Sequence, residues 1–434
     1  MTGRPAVRGR IAAVATCLLL AACSGSGRPS AGATDGASGR AADCAGSVSS
    51  LLHVTQRYLN GLESTQAART GASPAPSPSA TADSRQVAAQ DEFSSALQNI
   101  RSYAASRGCD PQAFQTDLAA GLQKLRAGGP VARAVLLQLR AQTATPPPSG
   151  PLRPGADVAA AVAAAPSGGT VQLGAGTFTV SDTVALLRGV TLRGAGRDAT
   201  VLRSAAAGGP LLVLTAETVT LQDLTISRTG TLPGPVVSAG PVTTLVVLRA
   251  RVAGARADRD GLGGVGILMS GGAGGQTGAV RRTSLRVTDT ELVDNAVAGL
   301  VVAGEHRAEL LRTLVARSGQ CGVCFLGTSD GVVRDSRFVD DGAAVVTAGD
   351  SRPKVLTSTI TGGQVGIQAI DRSAPEITHV TVTRTARAAM IWTATARGRL
   401  EGNRCVDVPF GIVVGPRALP FVGANACLVG RGRQ

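Results

Sequence analysis

The sequence predicts a mainly β chain: a solenoid of short strands that follows an N-terminal α-helical region. Three observations carry this reading. Past residue 285 two apolar residues five apart recur, as Val287/Leu292, Leu310/Val315, Val333/Phe338, Val355/Ile360, Ile377/Val382, Leu400/Cys405 and Val422/Cys427. The second members step by 23, 23, 22, 22, 23 and 22 residues. Glycine makes up 56 of 434 residues and aromatics only 2%, which suits repeated turns and packing by small or β-branched side chains. A unit of 22–23 residues cannot bury its apolar row alone, so neighbouring coils must stack and share one core. A leucine-rich repeat has a similar period, but its Leu and Asn consensus is absent. Val219/Leu224 and Val247/Val252 read as earlier turns of the same pattern, separated by longer loops.

Taken from the start, Arg4, Arg8 and Arg10 precede the apolar run "IAAVATCLLLAAC", a basic segment and short hydrophobic core of secretory type. The "LAAC" of Leu20 to Cys23 resembles a lipobox, the signal of bacterial lipoproteins. The resemblance implies that residues 1–22 are removed, that Cys23 carries the lipid, and that the mature chain is anchored to the cell membrane on its extracytoplasmic side. Cleavage of an ordinary signal near Ala22 is the alternative. Residues 23–43, rich in Ser, Gly and Ala, read as a flexible tether.

Residues 44–142 read as helices. Phe93, Leu97, Ile100 and Ala104 keep helical spacing, as do Phe114, Leu118, Leu122 and Leu125, then Val131, Val135 and Leu139. Asp110-Pro111 is a cap followed by a first-turn proline. "GASPAPSPSATAD", 71–83, interrupts them as an extended loop, and "TATPPPSGPLRP", 143–154, reads as a semi-rigid linker. Cys44 and Cys109 are the only cysteines of this region and are paired across the loop; export makes disulfides the default use of cysteine.

From residue 155 an Ala-rich helix at 156–165 leads into Gly-separated β-like runs, "VAAAPSGGTVQLGAGTFTVSDTVALLRGVTLRGAGRDATVL". This opening strongly resembles the N-terminal coils of the pectate-lyase-like superfamily, over roughly 155–430. The resemblance implies a right-handed parallel β-helix and implies that the helix caps the open first coil. Cys405 and Cys427 share one inward slot in adjacent coils, where strands lie about 4.8 Å apart, so a disulfide between them should staple the last coil. Trp392 falls ten residues after Val382, as Phe325 does after Val315, and is expected in the core.

"SGQCGVCFLG" carries a C-x-x-C pair. In the coil register Cys321 matches Ala298, Ala344, Ala388 and Gly411, an inward slot, and Cys324 matches Val301 and Val414, facing out. No helix follows to activate a thiol and no second Cys or His pair completes a zinc site. An i, i+3 pair on an extended strand lies about 10 Å apart, so a Cys321–Cys324 disulfide requires a turn at Gly322-Val323.

The same register sorts outward positions. Asp289, Arg312, Asp335, Thr357, His379 and Gly402 follow the first apolar members by two; Asp294, Arg317, Asp340, Gly362, Arg384 and Asp407 follow the second. Three coils thus place acids and arginines near one face, with Asp341, Arg334 and Arg337 beside them. The superfamily implies two chemistries there. Its lyases hold calcium on carboxylates and use a basic residue as proton acceptor; its hydrolases use carboxylate pairs. On that resemblance Asp335, Asp340, Asp341 and Arg312 are the candidate catalytic residues. Asp289, Asp294, Arg317 and Arg337 are the candidate binding residues. Calcium is implied only if the face is a lyase site; no other cofactor or metal is expected. "VDDG", 339–342, is similar to the Asp-Asp of polygalacturonase-like hydrolases, yet Gly-His-Gly, Asn-Thr-Asp and the Asp-His and Asp-Pro-His elements of lyases and epimerases are missing. The plain alternative is a solvated ladder of ion pairs.

His53 reads as a helix-surface residue and His306 as a turn residue without a metal partner. Asp258 and Asp260 sit in the longest insertion but lack the spacing of a calcium loop. The formal charge of +14 falls by three to +11 when Arg4, Arg8 and Arg10 leave with the signal. The arginines are scattered, with no basic block or stacking platform, and export removes a chromosomal role, which excludes nucleic acid as a partner. The functions left open are a lipid-anchored β-helix that binds, and as lyase or hydrolase processes, polysaccharide; a non-catalytic scaffold that docks a surface protein; and a thiol oxidoreductase resting on Cys321/Cys324 alone.

Overall fold

The structure, a computed structural model, describes residues 36–70, 99–100, 102–141, 150–186, 188–204, 210–214, 218–240, 244–257, 263–269 and 283–431. The signal segment with Cys23, the loop 71–83, Phe93, Leu97, Asp258 and Asp260 lie outside these residues. The chain divides into two compact units: residues 1–147 with 159–167, and residues 148–158 with 168–434.

The first unit is helical, with α1 (Gly36–Thr70), α2 (Pro111–Lys124), α3 (Pro130–Ala141) and α4 (Val158–Ala164). The segment read as a tether is corrected at its end: α1 begins at Gly36, because no proline interrupts the Ala- and Ser-rich run that leads to Cys44. Leu118 and Leu122 of α2 and Val135 and Leu139 of α3 are buried at the expected spacing. The Asp110 side chain accepts from the Gln112 N–H at 3.0 Å and Pro111 fills the first turn, as the cap signal predicts. Cys44 and Cys109 are bonded. His53 is exposed. The Ala-rich helix groups with this unit, so the boundary expected at residue 155 is not a single cut.

The second unit is a parallel β-solenoid of three sheets with 11, 10 and 11 strands, in which each coil but the last contributes one strand to each sheet in turn; the last has only an isolated bridge, Arg404 to Ala426, at the second sheet. It starts earlier than expected. Leu152, inside the Pro-rich linker, is buried and bridges Leu173, and its N–H donates to Gln172 O at 2.8 Å. The five-apart pairs behave as predicted: the first members, from Val247 through Val287 to Val422, pair in register in the first sheet. The second members, from Val252 through Leu292 to Cys405, pair in the second. Each row of aliphatic side chains therefore stacks on its own kind at strand spacing.

One expectation shifts by two residues. Leu221 and Ile226, not Val219 and Leu224, align with Val247 and Val252. All four are fully buried, so apolar spacing alone does not choose between the pairs. Trp392 is fully buried and its Nε1–H donates to Arg397 O at 2.8 Å, which satisfies its polar edge in the core. Cys405 and Cys427 are bonded across adjacent coils, with Cα atoms 4.9 Å apart.

The C-x-x-C strand, Cys321–Leu326, is continuous but sharply bent: the disulfide is present with its Cα atoms 6.0 Å apart. Cys321 pairs with Ala298 and Ala343 rather than Ala344, and Cys324 with Val301 and Val346. Further along, Val413 rather than Val414 continues the Cys324 row, and Ile412 aligns with Met390, which leaves Gly411 one place off the Cys321 row. The inward slot expected for Cys321 is also corrected. It packs with Val265 and Ala298 against Leu268, Val301, Cys324 and Val346, on the outer side of the third sheet. Gly322 takes the inward place instead. A Cβ there would meet Phe338 Cδ1 at 3.0 Å and Asp341 Oδ2 at 2.8 Å, so the bend requires glycine.

Candidate functional site

The chain turns from the first sheet into the second, and from the second into the third, through single residues in the left-handed region. At the first corner these are Asp223, Arg249, Asp289, Arg312, Asp335, Thr357 and His379, with φ between 44° and 56°. At the second they are Asp294, Arg317, Asp340, Arg384 and Asp407, with φ between 53° and 58°. Aspartate tolerates this conformation; arginine, threonine and histidine are held there against a cost of about 1–3 kcal/mol each. What holds them is the ladder itself. Asp289, Arg312 and Asp335 each donate a backbone N–H to the next coil, to Leu311, Arg334 and Leu356.

The side chains then pair between coils. Arg312 meets Asp289 through two bonds of 2.6 and 2.8 Å, and Arg317 meets Asp294 at 2.6 and 2.9 Å. Arg249 grips Asp223 in the same way. Thr357 Oγ1 donates to Asp335 at 2.5 Å, and Arg334 lies 3.5 Å from the same carboxylate. The bidentate guanidinium holds Asp289 and Asp294 below the usual carboxylate range, and each carboxylate raises its arginine. Arg312, a candidate proton acceptor, is thus shifted away from what a base needs. Exposed pairs of this kind contribute little, so Asp294→Asn is expected to lower stability by less than about 1 kcal/mol in denaturant titration, and less still at high salt. A loss of several kcal/mol would show that the ladder is structural.

Asp335 and Asp340 stand at opposite ends of the strand Arg337–Val339. Five residues at about 3.3 Å each give up to about 16 Å of chain, wider than the roughly 6.5–9.5 Å of an inverting carboxylate pair. Asp341 is corrected outright. It does not share the exposed face: its side chain is 3% exposed and points into the coil, where a polymer cannot touch it. Its Oδ1 accepts the Ser318 N–H at 2.8 Å, while Oδ2 has no partner among the described residues. Burial pushes this carboxyl up to about 7. No group of three metal-binding side chains lies together among the described residues.

What stays open is the outer face of the second sheet between the two corners. Upstream, Arg251 meets Glu291 at 2.7 Å and Asp198 at 3.1 Å, and Arg197 meets Glu291 at 3.1 Å, while Arg203 is exposed without an ion pair among the described residues. Downstream one row reads Arg337, Thr359, Thr381, Arg404 in successive coils. The parallel row reads Val339, Thr361, Thr383, Val406, with Thr383 Oγ1 donating to Thr361 Oγ1 at 3.1 Å. Arg337, Thr359 and Arg404 are exposed, and neither arginine has a carboxylate partner among the described residues. Three strand spacings place the two guanidinium rungs about 14 Å apart with hydroxyls between them. Arg337 was legible in the sequence as a binding candidate. Arg404 and the threonines were not, because their positions lie between the apolar markers rather than at the charged corners.

A family described as right-handed β-helix region matches residues 265–423. The solenoid is therefore a right-handed parallel β-helix, consistent with the pectate-lyase-like superfamily that its opening resembles. Solved structures match this chain at low similarity. Tailspike protein 2 of the Escherichia coli O157:H7 bacteriophage CAB120 is 13% identical over 59% of this chain, with a TM-score of 0.39, and the chain spans 40% of its length. The catalytic domain of a GH87 α-1,3-glucanase is 10% identical over 65% of this chain and 70% of its own, with a TM-score of 0.38. The A-module of the Azotobacter vinelandii mannuronan C-5 epimerase AlgE4 is 14% identical over 59% and 91%, with a TM-score of 0.31. No curated protein matches the sequence.

Proposed function

We propose that this protein is a lipid-anchored, extracytoplasmic β-helix that binds polysaccharide along the outer face of its second sheet. The observation that carries the reading is the open row from Arg337 to Arg404 beside the threonine row, while Arg312 and Arg317 at the corners are committed to Asp289 and Asp294. Threonine hydroxyls match sugar hydroxyls, and two unneutralised guanidinium groups favour a polymer that carries carboxylates. Binding without cleavage is the role the residues support. Of the candidate acids, Asp335 is tied to Thr357 and Arg334 and Asp341 is buried, which leaves Asp340 alone exposed without an ion pair among the described residues, and one carboxylate does not make the pair that a hydrolase needs. The membrane anchor rests on "LAAC" and Cys23, and the mass of the mature N-terminal peptide tests it.

The functional test is a panel of uronate and neutral polysaccharides, with and without calcium, followed for binding, unsaturated product and reducing ends. Binding without product supports the proposal. Product formation would assign catalysis, and Asp335→Asn and Asp340→Asn would then locate it. No response to any polymer, with unchanged thermal stability, would sink the carbohydrate reading and leave the protein scaffold.

A further inference from the structure

We propose that Cys321–Cys324 is a reversible thiol–disulfide couple rather than a structural staple, one that oxidises dithiols reaching the outer face of the third sheet. Four observations lead there. The disulfide closes a loop of only three residues, against 22 for Cys405–Cys427 and 65 for Cys44–Cys109, so it constrains the unfolded chain least. The bend that it spans does not depend on it. The neighbouring strands pair residue for residue with the C-x-x-C strand while carrying Ala298 and Val301 on one side and Ala343 and Val346 on the other, none of which can cross-link. Small residues fill the middle place of all three strands: Gly322, Gly299, whose own Cβ would meet Val315 and Leu292 of the core, and Ala344.

The two sulfurs also differ in surroundings. Cys324 is half-buried and reachable from outside, whereas Cys321 is 1% exposed among Val265, Ala298 and the branched side chains above them. A thiol fits that apolar setting as a small hydrophobic group, so the reduced state leaves no buried charge. The strand ladders on both sides hold the two side chains at the same separation after reduction, ready to close again.

The step balances as ordinary exchange. A thiolate of the incoming dithiol attacks Cys324 Sγ, the S–S bond breaks, and the electron pair leaves on Cys321 Sγ, which takes up a proton. The second thiol of the dithiol, on losing its proton, attacks its own sulfur in the mixed disulfide and releases Cys324 as a thiolate, which is protonated. The incoming dithiol is oxidised by two electrons and the pair is reduced by two.

The test is a graded titration of the full chain in detergent with reduced and oxidised dithiothreitol, quenched by alkylation and read peptide by peptide. Cys321 and Cys324 are expected to label together at the lowest reducing ratio and to close fully on reoxidation. The circular dichroism and the unfolding midpoint should stay within about 2 °C of the oxidised protein. The double variant Cys321→Ser, Cys324→Ser should melt as the wild type does while losing the first oxidising equivalent. Resistance of this pair until the other disulfides open, or a loss of structure on its reduction, would overturn the proposal.

Discussion

Asp341→Asn is expected to stabilise the protein, by an amount that grows as the pH rises. In the coil two turns earlier the same register position holds Asn295, whose Oδ1 accepts the Ala255 N–H at 3.1 Å and whose Nδ2 donates to Val252 O at 3.4 Å. Asp341 repeats the first bond with Ser318 but, as a carboxylate, cannot repeat the second. A neutral carboxyl can, with Oδ2–H taking the place of the amide N–H toward Val315. The surroundings favour the neutral form: burial raises this group from 3.8 to about 7, the neighbouring Asp340 adds to the rise, and the Ser318 bonds and Arg317 only partly oppose it. The folded chain therefore holds a proton that the unfolded chain has released. Stability from this group is fully present below about pH 4 and is lost as pH rises to about 7. Three pH units correspond to about 4 kcal/mol. The asparagine supplies the donor at every pH. The difference in unfolding free energy between variant and wild type should be near zero at pH 4 and reach the order of 4 kcal/mol above pH 7. A difference that does not change with pH would mean that Asp341 is already charged in the fold.

The second large effect is expected at the last disulfide. Cys405 and Cys427 close a loop of 22 residues, for which loss of the bond costs about 3 kcal/mol. The consequence should be local before it is global, because a coil contacts only its neighbours. In Cys405→Ala, Cys427→Ala, amide exchange over residues 408–431 should accelerate while the central coils, residues 285–370, keep their protection. Uniform acceleration through all coils would show that the solenoid unfolds as one unit and that the bond does not act as a terminal clamp.

The period of the solenoid was legible because each coil repeats two core residues in one conformation. Both long-range disulfides followed from it, or from the export that the N-terminal segment leads one to expect. The early coils were less legible, since Val219, Leu221, Leu224 and Ile226 are all apolar and only pairing selects the register. The charged corners were readable as alternating signs, yet adjacent Asp340 and Asp341 look alike in sequence. A left-handed residue interrupts the in–out alternation, so one carboxylate faces solvent and the next enters the core. A different break misplaced Cys321: at the bend in its strand Gly322 takes the inward place and turns the cysteine outward. The threonines and Arg404 of the open row escaped notice because threonine on a strand is ordinary, and the proposed role comes from their lying beside arginines without carboxylate partners.

The most direct test of the account is the affinity of the full chain for uronate and neutral polysaccharides, beside Arg337→Ala, Arg404→Ala and a control, Arg312→Ala. A charge-assisted hydrogen bond is worth about 1.5–3 kcal/mol, so the double variant should bind the preferred polymer at least about tenfold more weakly. The control, whose guanidinium is committed to Asp289, should bind as the wild type does. Equal affinity of the wild type and the double variant, or no binding by the wild type, would contradict the claim that the second sheet is the binding face.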